Sequence, residues 1–422
     1  MDIVSNGIRN VVSLVIVSCR WFARSNKISK LSTQLDQSSQ QVDNCQFAMS
    51  NKWFKNVLLL NGVNLFDSDS KYDKLIGRVF IVFNYISNIY RIALNVSLIV
   101  FGISVFRDLL FIAIAVCGMV AHVQLARNRK IIASVLNDFS SKIPATAKES
   151  LIRTQRKYIG LVLFATISEV TRRCLLWADE GTARYLRRAN MKLTTANFGL
   201  HVFCAFEVFS YSHFTYGWLL HTMVIYAYMF KVMLAADVAF YDRSSSAVTK
   251  IASENSHEIM KVVKIVRKER HDMATLKKVM SDSLSLFPLL WFSSLFIETT
   301  MRLVHFTKEF HHATMYYIAI KWSSYLICLL FAVWVTVLVE DIVASEATRA
   351  YTLTNALNRI NAVCWETQVE TLGLTMEVGN FQSQRPSAWG LFDLKKSVIL
   401  NFMGTAIPFS VMINEFVAVA KS

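Results

Sequence analysis

Two residues in the last apolar stretch of the chain have side chains that a simple lipid-facing helix would not need. Residues 390–416 read GLFDLKKSVILNFMGTAIPFSVMINEF, with Pro408 in the middle and Glu415 near the far end. A carboxylate deep in a bilayer is costly and normally faces a protein interior or a water-filled path. A proline inside a span frees a backbone carbonyl that a bundle or a wet cavity has to satisfy. The pattern therefore predicts a helix that faces protein or water rather than only lipid.

The element that positions these residues is one of several long apolar stretches. The chain has 422 residues, of which 54% are hydrophobic, and only 13 glycines and 4 prolines. About 20 apolar residues cross a bilayer as a helix, and soluble domains are less apolar than this chain. We therefore predict an all-α membrane protein with seven transmembrane helices. The predicted spans are residues 79–101, 109–126, 159–177, 198–225, 286–304, 315–339 and 397–418.

The fourth apolar run, residues 198–240, is about twice as long as a bilayer is thick. Either it contains two spans or one helix continues beyond the membrane. The segment between Gly217 and Asp237 contains no turn residues, which favours a single long helix. Residues 1–74 are predicted to form a cytoplasmic N-terminal region, and residues 75–420 the seven-span domain.

The distribution of lysine and arginine predicts the orientation in the membrane. The formal net charge is +15, but the basic residues cluster between the apolar stretches, as expected of a membrane protein rather than one that binds nucleic acid. Most lie in four segments on one side of the predicted spans: residues 1–74, 127–157, 242–285 and 340–396. Cytoplasmic loops carry an excess of such residues. We therefore predict a membrane protein with a cytoplasmic N terminus and an extracellular C terminus, although basic residues at 184–192 are a local exception.

Motifs for enzymatic catalysis are absent from the sequence. It contains no HExxH, GxSxG, Walker or GxGxxG pattern. The 7 cysteines include no CxxC pair, and the adjacent His311 and His312 are interpreted as loop residues rather than a metal site. We predict no enzymatic activity, no cofactor and no metal. A G-protein-coupled receptor would have the opposite orientation, with DRY-like and NPxxY-like motifs that are not found here.

The final stretch resembles the C-terminal signature of the insect gustatory receptor family. That signature begins with GLF(D/E)L and continues to Thr-Tyr, five apolar residues and Gln-Phe. The matching positions are Phe392, Asp393, Leu394 and Phe416. The Thr, Tyr and Gln positions hold Pro408, Phe409 and Glu415. The family belongs to a superfamily of seven-transmembrane ligand-gated ion channels that also includes the insect odorant receptors.

The resemblance implies a non-selective cation channel that a small extracellular tastant opens. Its partners would be that small molecule, the lipid bilayer, permeant cations and other receptor subunits in a homotetramer or heterotetramer. It would act in taste perception, in the plasma membrane of sensory neurons. The alternative is a divergent gustatory-receptor-like protein, or a transporter-type protein, without taste-channel activity. Internal repeats would favour a transporter, and no symmetry between the two halves is found.

In such a channel the last helix of each subunit lines the pore. Helical spacing brings several of its residues to one face, and four copies of Glu415 would form an acidic ring of the kind cation pores use. Glu415 could instead pair with a nearby cation, and Phe416 could be a gate or a packing residue. The pore and gate candidates are Thr405, Pro408, Val411, Met412, Glu415 and Phe416. We also expect Asp393 to cap this helix.

The ligand pocket would lie in the outer halves of the third to sixth spans. Pockets combine aromatic walls with a few polar groups. The candidates are Glu169, Trp177, His201, Phe203, Glu207, Tyr211, Trp291, Glu298, Tyr317 and Trp322. Such aromatic residues could equally be packing or interfacial residues, and Glu169 and Glu298 could pair with Arg172, Arg173 or Arg302.

Overall fold

The structure, a computed structural model, describes residues 71–100, 105–178, 217–251, 256–309, 315–360, 364–379 and 386–419. Long helices account for nearly all of these residues. They are α1 (Lys71–Val100), α2 (Val105–Lys142), α3 (Ala145–Ala178), α4 (Gly217–Ile251), α5 (Ser256–Leu284), α6 (Leu286–Glu309), α7 (Met315–Leu357), α8 (Trp365–Gly379) and α9 (Lys396–Val419). The short strands β1 (Ser387–Ala388) and β2 (Phe392–Asp393) precede α9.

Six stretches of the described helices are long and apolar enough to cross a membrane. They are Gly77–Ser97, Asp108–Lys142, Gly217–Ile251, His257–Val304, Tyr325–Leu357 and Lys396–Ile413. The predicted third span lies in α3, where Glu169, Arg172 and Arg173 interrupt the apolar sequence. The structure therefore supports a helical, multi-span membrane protein. The number seven and the orientation of the termini stay predictions, as does the division of the chain at residue 74.

The helix α4 is the centre of the bundle and packs against α2, α3, α5 and α7. Its side chains are buried around most of its circumference, including Trp218, Tyr226 and Phe240. At Gly118 of α2, an added Cβ would lie only 2.9 Å from the Trp218 ring, so α2 and α4 approach closely there. The prediction of a single helix is confirmed for Gly217–Ile251, whereas residues 198–216 lie outside the described part of the chain.

The two longest helices that the structure describes are much longer than a bilayer is thick. The helices α2 and α7 contain 38 and 43 residues, which correspond to about 57 and 64 Å at the α-helical rise. Both therefore project beyond a hydrocarbon core of about 30 Å. The helix α8 packs against α5 and α7.

A short hairpin precedes the last helix. In β1 and β2, Ser387 pairs with Asp393 and Ala388 with Phe392. The turn residues Trp389 and Gly390 have positive φ angles of 54° and 75°, as the central residues of a type I′ turn do. The Trp389 amide donates to the Ser285 carbonyl, between α5 and α6, over 2.9 Å. We call the end of the bundle that carries this hairpin the hairpin end, and the opposite end the far end.

Candidate functional site

One face of α9 packs on α6. Phe402, Ala406, Ser410 and Ile413 recur at helical spacing and are buried. The Phe402 ring lies 5.9 Å from the Phe292 ring and 6.1 Å from the Phe296 ring, measured between centroids. This aromatic contact fixes which side of α9 turns away from the bundle.

The opposite face of α9 carries the residues predicted to line a pore. Thr405, Pro408, Val411, Met412 and Glu415 are all exposed in the single chain. Glu415 makes no ion pair with any residue that the structure describes. Phe416 lies on α9, but its side chain is outside the described part of the structure. The structure thus places the other five candidates together on one unpartnered face.

The start of α9 is capped differently from the prediction. Asp393 lies in β2, and its carboxylate is 3.1 Å from the Lys395 ammonium group. The first amide of the helix, that of Lys396, donates instead to the Glu340 carboxylate of α7 over 3.0 Å. The sequence could not indicate this cap because the acceptor lies 56 residues earlier.

A buried polar cluster lies toward the far end of the bundle, between α6 and α7. The Arg302 guanidinium donates to the Glu298 carboxylate one turn earlier, with an Nε–Oε1 distance of 2.6 Å. The same guanidinium carbon lies 5.1 Å from the Tyr325 ring centroid and 5.9 Å from the Trp322 ring centroid. Tyr325 also bonds its hydroxyl to that of Thr299. The cluster holds a cation between a carboxylate and two aromatic faces, an arrangement that stabilises buried positive charge.

A small cavity of about 10 Å³ adjoins this cluster. Its wall includes the Glu298 carboxylate and the indole of Trp218, and neither the Glu298 Oε2 atom nor the Trp218 Nε1 atom has a hydrogen-bond partner among the described residues. This volume is close to the minimum that holds one water molecule. Two of the residues in its wall thus carry an unused acceptor and an unused donor.

The remaining pocket candidates divide into three groups. Glu169 is buried on α3. Trp291 donates to the Thr222 hydroxyl over 2.8 Å and packs edge-on against Tyr226, so it lies in the core and not at the cavity. The residues outside the described structure are His201, Phe203, Glu207 and Tyr211, as well as the side chains of Trp177 and Tyr317.

Of the residues that line the cavity, sequence reasoning identified only Glu298. Those with polar atoms that it missed are Trp218, Ser294, Tyr325 and Cys328. Tyr325 and Cys328 follow Trp322 by three and six positions, so helical periodicity from Trp322 could have identified them. Trp218 carried no comparable signal. The Glu298–Arg302 pair confirms one of the alternatives that the sequence left open for Glu298.

Groups of three or more metal-binding side chains are not found in the described part of the chain. His311 and His312 lie outside it. The described side chains therefore offer two candidate functional surfaces, the open face of α9 and the closed polar cavity.

Comparison with known proteins found similarity to solved structures. No protein-family model matches the sequence, and no curated protein matches it. The structure of the insect olfactory receptor OR5 from Machilis hrabei in complex with eugenol superimposes with a TM-score of 0.62 at 11% identity, covering 88% of this chain and 100% of that one. The structure of OR5 described without eugenol gives 0.57 at 10% identity, covering 87% and 99%. This chain therefore has the fold of the insect olfactory receptor structures.

Proposed function

We propose that this chain is a subunit of a ligand-gated cation channel that a small extracellular molecule opens, of the gustatory receptor type. The observation that carries the proposal is the two-sided character of α9. One side packs on the aromatic residues of α6, and the other side is open. The shared fold with an olfactory receptor that binds eugenol supports a small organic ligand.

The open side of α9 is suited to a water-filled path rather than to lipid alone. Asn401, Thr405, Pro408, Met412 and Glu415 recur every three or four residues and are exposed. Polar groups thus stand at the beginning, within and near the end of one stripe. Lipid-exposed positions rarely carry such groups, whereas pores do. Copies of α9 around a central axis would bring these stripes together.

A second open surface supports assembly from several copies. Trp365, Val369, Leu372 and Met376 of α8 are exposed to between 47% and 75% and follow coiled-coil spacing. The 15 residues of α8 are too few to span a membrane, so lipid does not explain this apolar stripe. Four copies, identical or mixed, would bury it and place the α9 helices around one pore.

The membrane orientation follows from the charges at the hairpin end. The helix α5 at this end contains seven lysine and arginine residues, and the positive-inside rule would place them in the cytoplasm. The far-end cavity would then open to the outside. Ligand binding there would have to widen the space beside Glu298 and Trp218. We propose the plasma membrane of sensory neurons as the location.

The proposal is tested by recording currents from cells that express this chain alone, with G-protein signalling blocked, during perfusion with a panel of tastants. To test the role of α9, cysteine is placed at Met412, on the open face, and separately at Ser410, on the face packed against α6. A positively charged thiol reagent should reduce the ligand-evoked current of Met412→Cys. The current of Ser410→Cys and of the unmodified chain, with its own cysteines, should change little.

Two outcomes would contradict the proposal. If current is absent at confirmed surface expression, also in the presence of other receptor subunits, the chain is not a channel subunit. If ligand-evoked current is equally sensitive to the reagent at Met412 and Ser410, the open face of α9 does not line the pore. Substrate uptake without current would instead favour the transporter-type alternative.

A further inference from the structure

A larger cavity lies at the hairpin end, away from the far-end cluster. It measures about 200 Å³ and is enclosed by α4, α5 and α7, with Pro386 at one edge. An apolar cavity of about 150 Å³ is enough to admit a benzene molecule. This space can therefore accept a small organic molecule without rearrangement of the helices.

Two carboxylates share one lysine in the wall of this cavity. The Lys277 ammonium group lies 2.7 Å from the Asp237 carboxylate and also bonds to Glu346, so one lysine serves two carboxylates. Arg270, which also lines the cavity, is engaged by the Glu377 carboxylate and carbonyl groups of α8. Lys277 is thus the cation that the Asp237 and Glu346 carboxylates share in this wall.

One of the carboxylate oxygens in the cavity wall is an unused acceptor. Asp237 is only 1% exposed, and its Oδ1 atom has no hydrogen-bond partner among the described residues. A buried acceptor without a donor is unfavourable, and more so when it is charged. The rest of the wall is largely apolar and includes Phe240, Met273 and Ile342. A matching ligand needs a cationic donor at one end and an apolar body.

We propose that this cavity binds a small protonated amine with an apolar body about the size of a phenyl group. Its ammonium group would donate to the Asp237 Oδ1 atom and place a second cation beside the two carboxylates that share Lys277. Its apolar body would lie against Phe240 and Met273. The site differs from the far-end pocket in position and in charge, and its existence does not require α9 to line a pore.

The proposal is tested with the purified full-length chain in detergent and three probes with the same ring. These are 2-phenylethylamine, 2-phenylethanol and phenylacetate, which are cationic, neutral and anionic at neutral pH. Isothermal calorimetry and thermal unfolding should detect the amine at millimolar concentration. The neutral probe loses a hydrogen bond between charged groups, so we expect its affinity to be at least about tenfold lower than that of the amine. The anionic probe should not bind.

Two variants locate the site. Asp237→Asn should reduce amine binding about tenfold, and Lys277 keeps Glu346 as its partner in this variant. Asp242→Asn is the matched control, because Asp242 lies on the same helix but its side chain is 68% exposed. If Asp237→Asn does not fold, Ser281→Phe fills the cavity without removing a charge and should abolish binding.

The proposal is wrong if the three probes bind equally, if none binds, or if amine binding persists in both Asp237→Asn and Ser281→Phe. A cavity that holds only ordered water would give the second of these results.

Discussion

The ion pair between Glu298 and Arg302 shows how strongly a single side chain can depend on one neighbour. Both side chains are almost completely buried, at 6% and 8% exposure. The Glu298 carboxylate has Arg302 as its only cationic partner among the described residues. The free-energy cost of burying the Glu298 carboxylate is therefore offset mainly by the Arg302 guanidinium group.

We expect Arg302→Met to lower the free energy of unfolding by roughly 3–5 kcal/mol, because it leaves a carboxylate buried without its cation. Adding Glu298→Leu should recover part of this loss. Thermal unfolding in detergent, followed by tryptophan fluorescence, measures both effects. Glu149 and Arg153 form a matched control, since they have the same spacing but are 69% and 71% exposed. Arg153→Met should cost about 1 kcal/mol or less, and an equal loss at both sites would disprove the argument.

Glu415 differs from Glu298 in that it is exposed and has no cationic partner in the described structure. If Glu415 lines the pore, Glu415→Gln removes a ring of negative charge. The ratio of cation to anion permeability should then fall about threefold or more. Reversal potentials measured in diluted sodium chloride detect this change. Asp272→Asn, at an exposed position of α5, should leave the reversal potential unchanged. An unaltered value in Glu415→Gln would remove Glu415 from the pore.

At the scale of elements, the start of α9 depends on a different helix. Glu340 of α7 accepts the hydrogen bond from the Lys396 amide, while the neighbouring Asp341 lies 3.7 Å from the Lys396 ammonium group. The two acidic residues thus contact the same lysine through its backbone and its side chain. Only the first contact satisfies a helix-terminal amide.

Glu340→Ala should destabilise the first turn of α9 by about 1 kcal/mol, as the loss of a helix cap does. Hydrogen exchange at the amides of residues 396–399 should then become about fivefold faster. Asp341→Ala removes only an exposed charge contact and should have little effect. Equal acceleration in both variants would show that charge near Lys396, rather than the cap, is responsible.

The elements that could be predicted from the sequence are those with a long-range apolar pattern. Six of the predicted spans overlap apolar stretches that the structure places in helices, because apolar length is visible in the sequence itself. The hairpin before α9 was not predicted, since its strands contain only two residues each and Trp389 adopts a positive φ angle. Glu298 and Arg302 are separated by one helical turn and could be foreseen as a pair. Asp237, Lys277 and Glu346 come from three helices, and local spacing contains no sign of their contact.

At the scale of the whole molecule, the exposed apolar stripe on α8 indicates a surface through which copies of the chain could associate. Its inner face packs on α5, where Arg267 lies 2.8 Å from Glu370. The outer face carries Leu372 and Met376, which are exposed in the single chain. A stable assembly would bury both.

We expect the double variant Leu372→Ser and Met376→Ser to weaken assembly about a hundredfold, because each side chain loses the free energy of apolar burial. Mass photometry of the purified chain measures the distribution of oligomers. Glu366→Gln, on the exposed surface of the same helix, should not change it. If the double variant still forms the same oligomers, the subunits associate through another surface.

The hairpin also gives α9 the mechanical character of a lever. Hydrogen bonds to Ser285 and Glu340 hold the fixed end beside Lys396, and Glu415 lies about 28 Å along the helix from that point. With this arm, a tilt of about 5° displaces Glu415 by about 2.5 Å, close to the diameter of a water molecule. If α9 lines a pore as proposed, a small rotation of α9 about the hairpin, together with the α6 helix on which it packs, would produce a displacement large enough to admit or exclude a file of water at the far end.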